Sequence, residues 1–345
     1  MRTLLALFVI LGLLPPLTGY GAELRHRIIL AHTQPQDAAA DPAAALASEF
    51  KRRVEQATEG GIRVDIFPDG MVGGNRQMTN LVSRNIIQSA LVTVGGLTPL
   101  YPPLAVVQMP FALDSVTAAY SLYDGPFGQR LADEVEARTG MVVLGFGDAG
   151  GFHVITNSRR PVRSVKDLAG LRLRTIPGAD VLDAMIRGVH ATPVKVSSRE
   201  ELSALAGGII DGQMNPPTVL LNRRYDQVQR HVTLTNHLYL PYVWLFAKAA
   251  FDALSPEDRQ AVRDATAAAV TAGRELSRRV ESSEDGMQTL HRRMNVITLS
   301  AAQREEMRGA AQPAVRQAIV QTQGEDGQRL LDDFLTAAKT ANSQP

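Results

Sequence analysis

Residues 145–152 read GFGDAGGF and follow an apolar run at 141–144. Glycines at 145, 147 and 150 have the GxGxxG spacing of a dinucleotide-binding loop. That motif carries function only where the loop opens a helix whose N-terminal N–H groups meet a pyrophosphate. Here it runs into FHVITN, which is β-branched and alternating and predicts a second strand. Asp167 stands at a distance suited to a ribose-binding acid, but it sits inside SVKDLAG, a capped helical turn. The glycines are therefore read as a strand crossing, where backbone passes close to backbone or to a ligand.

Layers of α/β structure extend on both sides of this crossing. Upstream, RHRIILAHTQPQD opens with a short strand, and PAAALASEFKRRVEQATEGG predicts a helix with Leu46, Phe50 and Val54 on one face. IRVDIFPDG alternates as a strand and breaks at Pro68, NRQMTNLVSRN is a short helix, and QSALVTVGG is a strand again. Downstream, Ser164 and Asp167 have capping-box spacing before the alternating LRLRTIP. Ser198 and Glu201 repeat that spacing in SSREELSALAGG, and IIDGQMNPP exits as a strand and loop. From LSPEDRQAV, with Ser255 as cap and Pro256 first in the helix, helical sequence continues towards Arg293 with a kink near SSEDG. A last helix begins near SAAQREEM, and ANSQP reads as a frayed tail.

Composition narrows the class. Arg2, an apolar run at 4–14 and small residues near 19–21 read as a signal peptide over residues 1–21, giving an exported protein. The run is too short for a membrane span, which needs about 20 apolar residues. The 345-residue chain has no cysteine, which excludes disulfides, thiolate metal sites and a lipid anchor on cysteine. Its 36 Lys and Arg include Arg2, so the exported part would hold 35 basic against 35 acidic residues. That balance gives no electrostatic footprint for nucleic acid.

No nucleophile elbow, metal-protease motif or phosphate loop is present, and the seven histidines lack ligand spacing. No catalytic residue, metal ligand or cofactor is assigned. The carboxylates of SSREE and ESSED read as N-caps or solvated faces, and the arginines of NRRYDQVQRH as an exposed helix face. Two polar residues stand out. Arg174 closes an alternating strand, where α/β folds gather ligands and a guanidinium can fork a carboxylate. An edge-strand Arg in solvent is the other reading. Asn215 follows a strand in DGQMNPP and suits either donation to the same anion or a turn.

The ordered segments EFKRRVEQATEGGIRVDIFPDGMVGG, VVQMPFALDS, GFGDAGGFHVITNSRRPV, DLAGLRLRTIPGA, LSALAGGIIDGQMNPP, YDQVQRHVTLTNHLY and FDALSPEDRQAV resemble the DctP-type substrate-binding proteins of TRAP (tripartite ATP-independent periplasmic) transporters. The resemblance implies an α/β, two-domain periplasmic-binding-protein-like fold with hinge strands and a long helix spanning both domains. It places domain I at 22–150 plus about 241–279 and domain II at 151–240 plus about 280–340. It further implies a periplasmic protein that holds an organic acid in an interdomain cleft and passes it to small and large integral membrane subunits.

Arg174 would pair with the ligand carboxylate, with Asn215 and His153 beside it. Phe152, Ile176 and Pro177 would form a pocket wall, and Thr33, Asn75, Tyr239 and Trp244 the rim. Gly147 and Gly150 would serve the hinge. Many relatives carry Arg where this chain has His153, and acids where it has Asn75 and Gln88. These departures give a monocarboxylate, an aromatic acid or another organic acid as much weight as a C4-dicarboxylate or sialic acid. The rival readings are a periplasmic enzyme on such a scaffold, and a binding subunit for a sensor kinase or ATP-driven importer.

Overall fold

The computed structural model describes residues 23–282 and 284–344, so the proposed signal peptide lies outside the described residues. Nine strands among them form one sheet: β1 His26–Ala31, β2 Ile62–Phe67, β3 Ser89–Thr93, β4 Met141–Asn157, β5 Arg172–Thr175, β6 Thr192–Lys195, β7 Gly212–Asn215, β8 His231–Ala247 and β9 Asn295–Thr298. The order is β2-β1-β3-β8-β4-β7-β5-β6, with β9 also on β8. The parallel pairs β1/β2 and β5/β6 need crossovers. Helices Pro42–Ala57 and Asp180–Gly188 supply them.

The sheet divides into two lobes joined by β4 and β8, antiparallel strands of 17 residues each. The start of β4 pairs with the end of β8, which also carries β3. The end of β4 pairs with β7 and with the start of β8, which carries β9. GFGDAGGF lies wholly inside β4 and opens no helix, so the nucleotide geometry is not there. Pairing passes from Asp148↔Pro241 to Phe152↔Tyr239, a bulge of three β4 residues against one. Gly150 has φ +110° and Gly151 φ +93°, conformations L side chains avoid. A Cβ on Gly150 would stand 2.0 Å from Thr218 Oγ1, and one on Gly151 2.0 Å from Glu281 Oε1. Backbone shape and close approach both demand glycine at these two positions.

Helix Pro42–Ala57 is capped by Asp41, which accepts from the Ala43 and Ala44 N–H groups, and buries Leu46, Phe50 and Val54. The long helix Pro256–Ser282 lies along it and across β4, and reaches helix Pro217–Asn222 of the second lobe. Its 27 residues extend about 40 Å. The break expected near SSEDG is present: Gly286 leaves helical geometry, and Thr289–Arg293 resumes it. The last helix, Ala301–Asn342, starts with a Ser300/Gln303 capping box and breaks at Gly324 (φ 62°, ψ −145°). Asn342 donates to Ala112 O and accepts from the Asp114 N–H. The tail read as frayed is therefore anchored at that residue. Of the two capping boxes read downstream, Ser164/Asp167 forms, whereas the helix after Ser198 begins only at Glu201.

Candidate functional site

Between the lobes lies a cavity of about 120 Å³ that widens into a mouth of about 590 Å³. Alternation along β5 buries Leu173 and Thr175 and turns Arg172 and Arg174 to the other face. Arg172 sits at the start of the strand and is tied to Asp211 at 2.8 Å. Arg174, at the cleft end, is held by three partners. Its Nε donates to Val196 O at 3.0 Å, its Nη2 to Ser198 Oγ at 3.1 Å, and its Nη1 faces Glu201 Oε2 at 3.4 Å. The Arg174 side chain is 10% exposed and that of Glu201 3%, so the pair is shielded from water. A guanidinium has more N–H donors than three partners use, and the remainder can meet a carboxylate.

Asn215, at the end of β7, lines the same cavity. Its amide nitrogen donates to Glu201 Oε1 at 3.1 Å and to Gln213 Oε1 at 2.5 Å. The donor expected to reach an anion is thus turned to Glu201, and Asn215 holds the partner of Arg174. The solvated-face reading of SSREE fails for Glu201, which is buried. The exposed-face reading of NRRYDQVQRH fails for Arg223, which lines the cavity. Arg223 Nη2 crosses the cleft to Thr33 O at 3.0 Å and Gln34 Oε1 at 3.1 Å. Gln34 in turn donates to the Tyr242 hydroxyl at 3.0 Å. Arg199 makes a second crossing, from Nη2 to Gly70 O at 2.7 Å, and Asn222 a third, to Ala40 O at 3.0 Å. These bonds hold the lobes together across the opening.

The floor is apolar. His153 lies there among Leu182, Met214, Leu238 and Leu240. Its ring stands edge-on to His237 at 6.3 Å between centroids. Burial, opposed by a hydrogen bond to Met214 backbone and aided by the nearby Arg174 charge, brings the His153 pKa down to about 4. Part of the ring still faces the cleft. His237, behind it, is brought down to about 3, chiefly by burial. A neutral ring bonded to backbone fits these surroundings.

Thr33, Asn75 and Ile176 also line the cavity, and Pro177 lines the mouth. Asn75 Oδ1 accepts from the Thr93 N–H at 3.1 Å, which fixes the wall of the first lobe. Three expected residues are elsewhere. Trp244 is fully buried, stacked edge-on to Phe50 at 4.8 Å, with Nε1 donating to Ser89 Oγ at 2.8 Å. It is a core residue and not a rim residue. Phe152 and Tyr239 pack against each other at 5.7 Å in an aromatic cluster with Tyr120 and Tyr123, outside the cavity lining. Residues left unmarked by the sequence include Ser198, Glu201, Arg223, Thr93, Gln108 and Tyr242, all of which line the cavity.

The profile of the bacterial extracellular solute-binding proteins, family 7 (DctP), matches residues 32–322. A solute-binding protein of Verminephrobacter eiseniae is 32% identical over 63% of this chain and 64% of its own. The 2,3-diketo-L-gulonate-binding periplasmic protein YiaO of Escherichia coli is 30% identical over 63% of this chain and 65% of its own. The chain thus spans just under two thirds of the length of both relatives. Among solved structures, the sugar acid binding protein DctPAm of Advenella mimigardefordensis, in complex with galactonate, superposes with a TM-score of 0.84. It is 27% identical and covers 93% of this chain and 100% of its own. A TRAP periplasmic solute binding protein from Polaromonas sp. JS666, bound to D-erythronate, gives 0.81 at 27% identity over 90% and 98%. With its two lobes, paired crossing strands and arginine-lined cleft, the chain belongs to family 7 of the bacterial extracellular solute-binding proteins, the DctP family.

Proposed function

We propose that the protein is an exported, periplasmic solute-binding protein. It captures an organic carboxylate in the cleft and delivers it to the membrane subunits of a TRAP-type secondary transporter, without bond chemistry. The observation that carries this reading is the shielded Arg174 guanidinium, held from behind by Val196 O, Ser198 and Glu201 with donors left for the cavity. The proposed domains are 22–150 plus about 241–279 and 151–240 plus about 280–340, which places the cleft at their junction. Carboxylate ligands in the relatives support the class: galactonate in the Advenella protein and D-erythronate in the Polaromonas protein.

The test is a thermal-shift screen of the purified exported part, residues 22–345, against organic acids. An acid at 100 times its dissociation constant adds about 2.7 kcal/mol of stability. A panel of sugar acids, hydroxy acids, oxo acids and aliphatic acids that leaves the melting temperature unmoved refutes carboxylate capture.

A further inference from the structure

We infer that the cleft takes an acid carrying a single carboxylate on an apolar body. This deepens the proposed function and rests on it. The first observation is the charge on the cavity wall. Among the described residues, Arg174, Arg223 and Glu201 are its charged side chains, two cations against one anion, so the surplus is one positive charge. A monocarboxylate cancels that surplus. A dianion exceeds it by one, and a buried carboxylate without a partner is strongly disfavoured.

The second observation is where those charges stand. Arg174, Ser198 and Glu201 are joined at one end by direct contacts. The floor around His153 offers Leu182, Met214, Leu238 and Leu240. The imidazole there is a neutral contact, bonded to backbone and backed by a second buried ring. A second carboxylate sent to the floor would find neither a cation nor released hydration. Sent the other way, it would leave the enclosed cavity for the open mouth, lined by Arg76, Arg199 and Arg223 against Asp69, where solvent screening leaves an ion pair worth little. Burial of alkyl carbon against the floor, by contrast, is favourable at about 25 cal/mol per Å². Thr93 Oγ1, buried on the cavity wall without a partner among the described residues, can bond one hydroxyl or oxo oxygen on that body.

The experiment uses an isosteric pair. Succinate and 4-methylpentanoate share one carboxylate and two methylenes, and an isopropyl group replaces the second carboxylate in the latter. Calorimetry on the exported part should find 4-methylpentanoate bound at least about 30-fold more tightly, the lower end of what a stranded buried charge costs. Arg223→Gln removes the surplus charge and should weaken 4-methylpentanoate at least about tenfold. Succinate binding as tightly as its isostere overturns the inference and leaves carboxylate capture standing. So does binding of polyhydroxy acids such as galactonate with no binding of 4-methylpentanoate, or an Arg223→Gln affinity equal to wild type. Failure of every acid in the panel overturns the proposed function as well.

Discussion

Two buried ion pairs flank the strand crossing, Arg174–Glu201 on the cleft side and Arg278–Asp148 against the long helix, and they are built to different ends. Asp148 is fully buried and accepts from four donors: the Gly150 and Gly151 N–H groups at 2.7 Å each, the Tyr120 hydroxyl at 2.5 Å and Arg278 Nη2 at 3.3 Å. Arg274, one turn earlier on the same helix, stacks over the Tyr120 ring at 4.3 Å and pairs with Asp124. The carboxylate is saturated from inside the protein and pins the bulge of β4 to the helix. In the cleft Glu201 is tied to Asn215 as well as to Arg174, and the arginine lines the cavity with donors that its three partners do not use. A buried ion pair therefore reads as structural or as a ligand site according to where its unused hydrogen-bonding capacity points: Arg174 lines the cavity, whereas the Nε of Arg278, unpartnered among the described residues, is buried outside it.

Substitutions separate the two. Asp148→Ala should cost about 3–5 kcal/mol of stability, since two glycine N–H groups and the Tyr120 hydroxyl lose their buried acceptor, while Arg278 keeps Glu281. Affinity in the folded protein should stay within about threefold of wild type. Urea unfolding and calorimetry measure the two quantities, and an affinity loss matching the stability loss would erase the distinction. Arg174→Ala should lower affinity by about 2–5 kcal/mol, roughly 30- to 5000-fold. It should also lower stability, because it strands Glu201.

A smaller effect is expected at the mouth. Arg199→Ala removes one of the bonds joining the lobes, a net contribution of about 0.5–1.5 kcal/mol. Ligand-free protein should then be more open, with a larger radius of gyration by solution scattering, and should contract when ligand binds. Identical scattering with and without ligand, in wild type and variant, would mean a rigid pocket.

The smallest effect concerns pH. With the His153 pKa brought down to about 4, the ring stays neutral from pH 8 to 5.5, and wild-type affinity should be flat over that range. Stability behaves differently. The unfolded ring, near 6.5, takes up a proton before the folded one, so the His153 contribution is fully present above about pH 6.5 and is lost as pH falls towards 4. Asp41 and Glu281, both raised to about 6 chiefly by burial, act with the opposite sign. The stability difference between wild type and His153→Gln isolates the histidine. It should rise with pH between 4 and 6.5, and a fall would mean that the folded ring is held protonated.

The fold was legible because period and punctuation are local. Leu46, Phe50 and Val54 mark a helix face, and the alternation of LRLRT puts Arg174 opposite Leu173 in any strand it can form. Depth is not local. Tyr242, Trp244 and Phe246 share one face of β8, and only the first stands at the cleft while the second fills the core. Ser198 and Glu201 have the spacing of a helix cap, and a cap needs no distant partner. Their roles came instead from Arg174 and Asn215, 24 and 14 residues away from Ser198 and Glu201. Arg223 was equally hidden, since its partners Thr33 and Gln34 lie 190 and 189 residues earlier.

Arg174 is proposed to bind the carboxylate, apart from its part in holding Glu201. Calorimetry of the double variant Arg174→Ala, Glu201→Gln tests that role most directly, with the best acid from the thermal screen. Neutralising Glu201 removes the stranded charge, so stability should return to within about 1 kcal/mol of wild type while affinity stays at least about 30-fold weaker. A double variant that regains stability and binds the acid within about threefold of wild type would mean that another group binds the carboxylate.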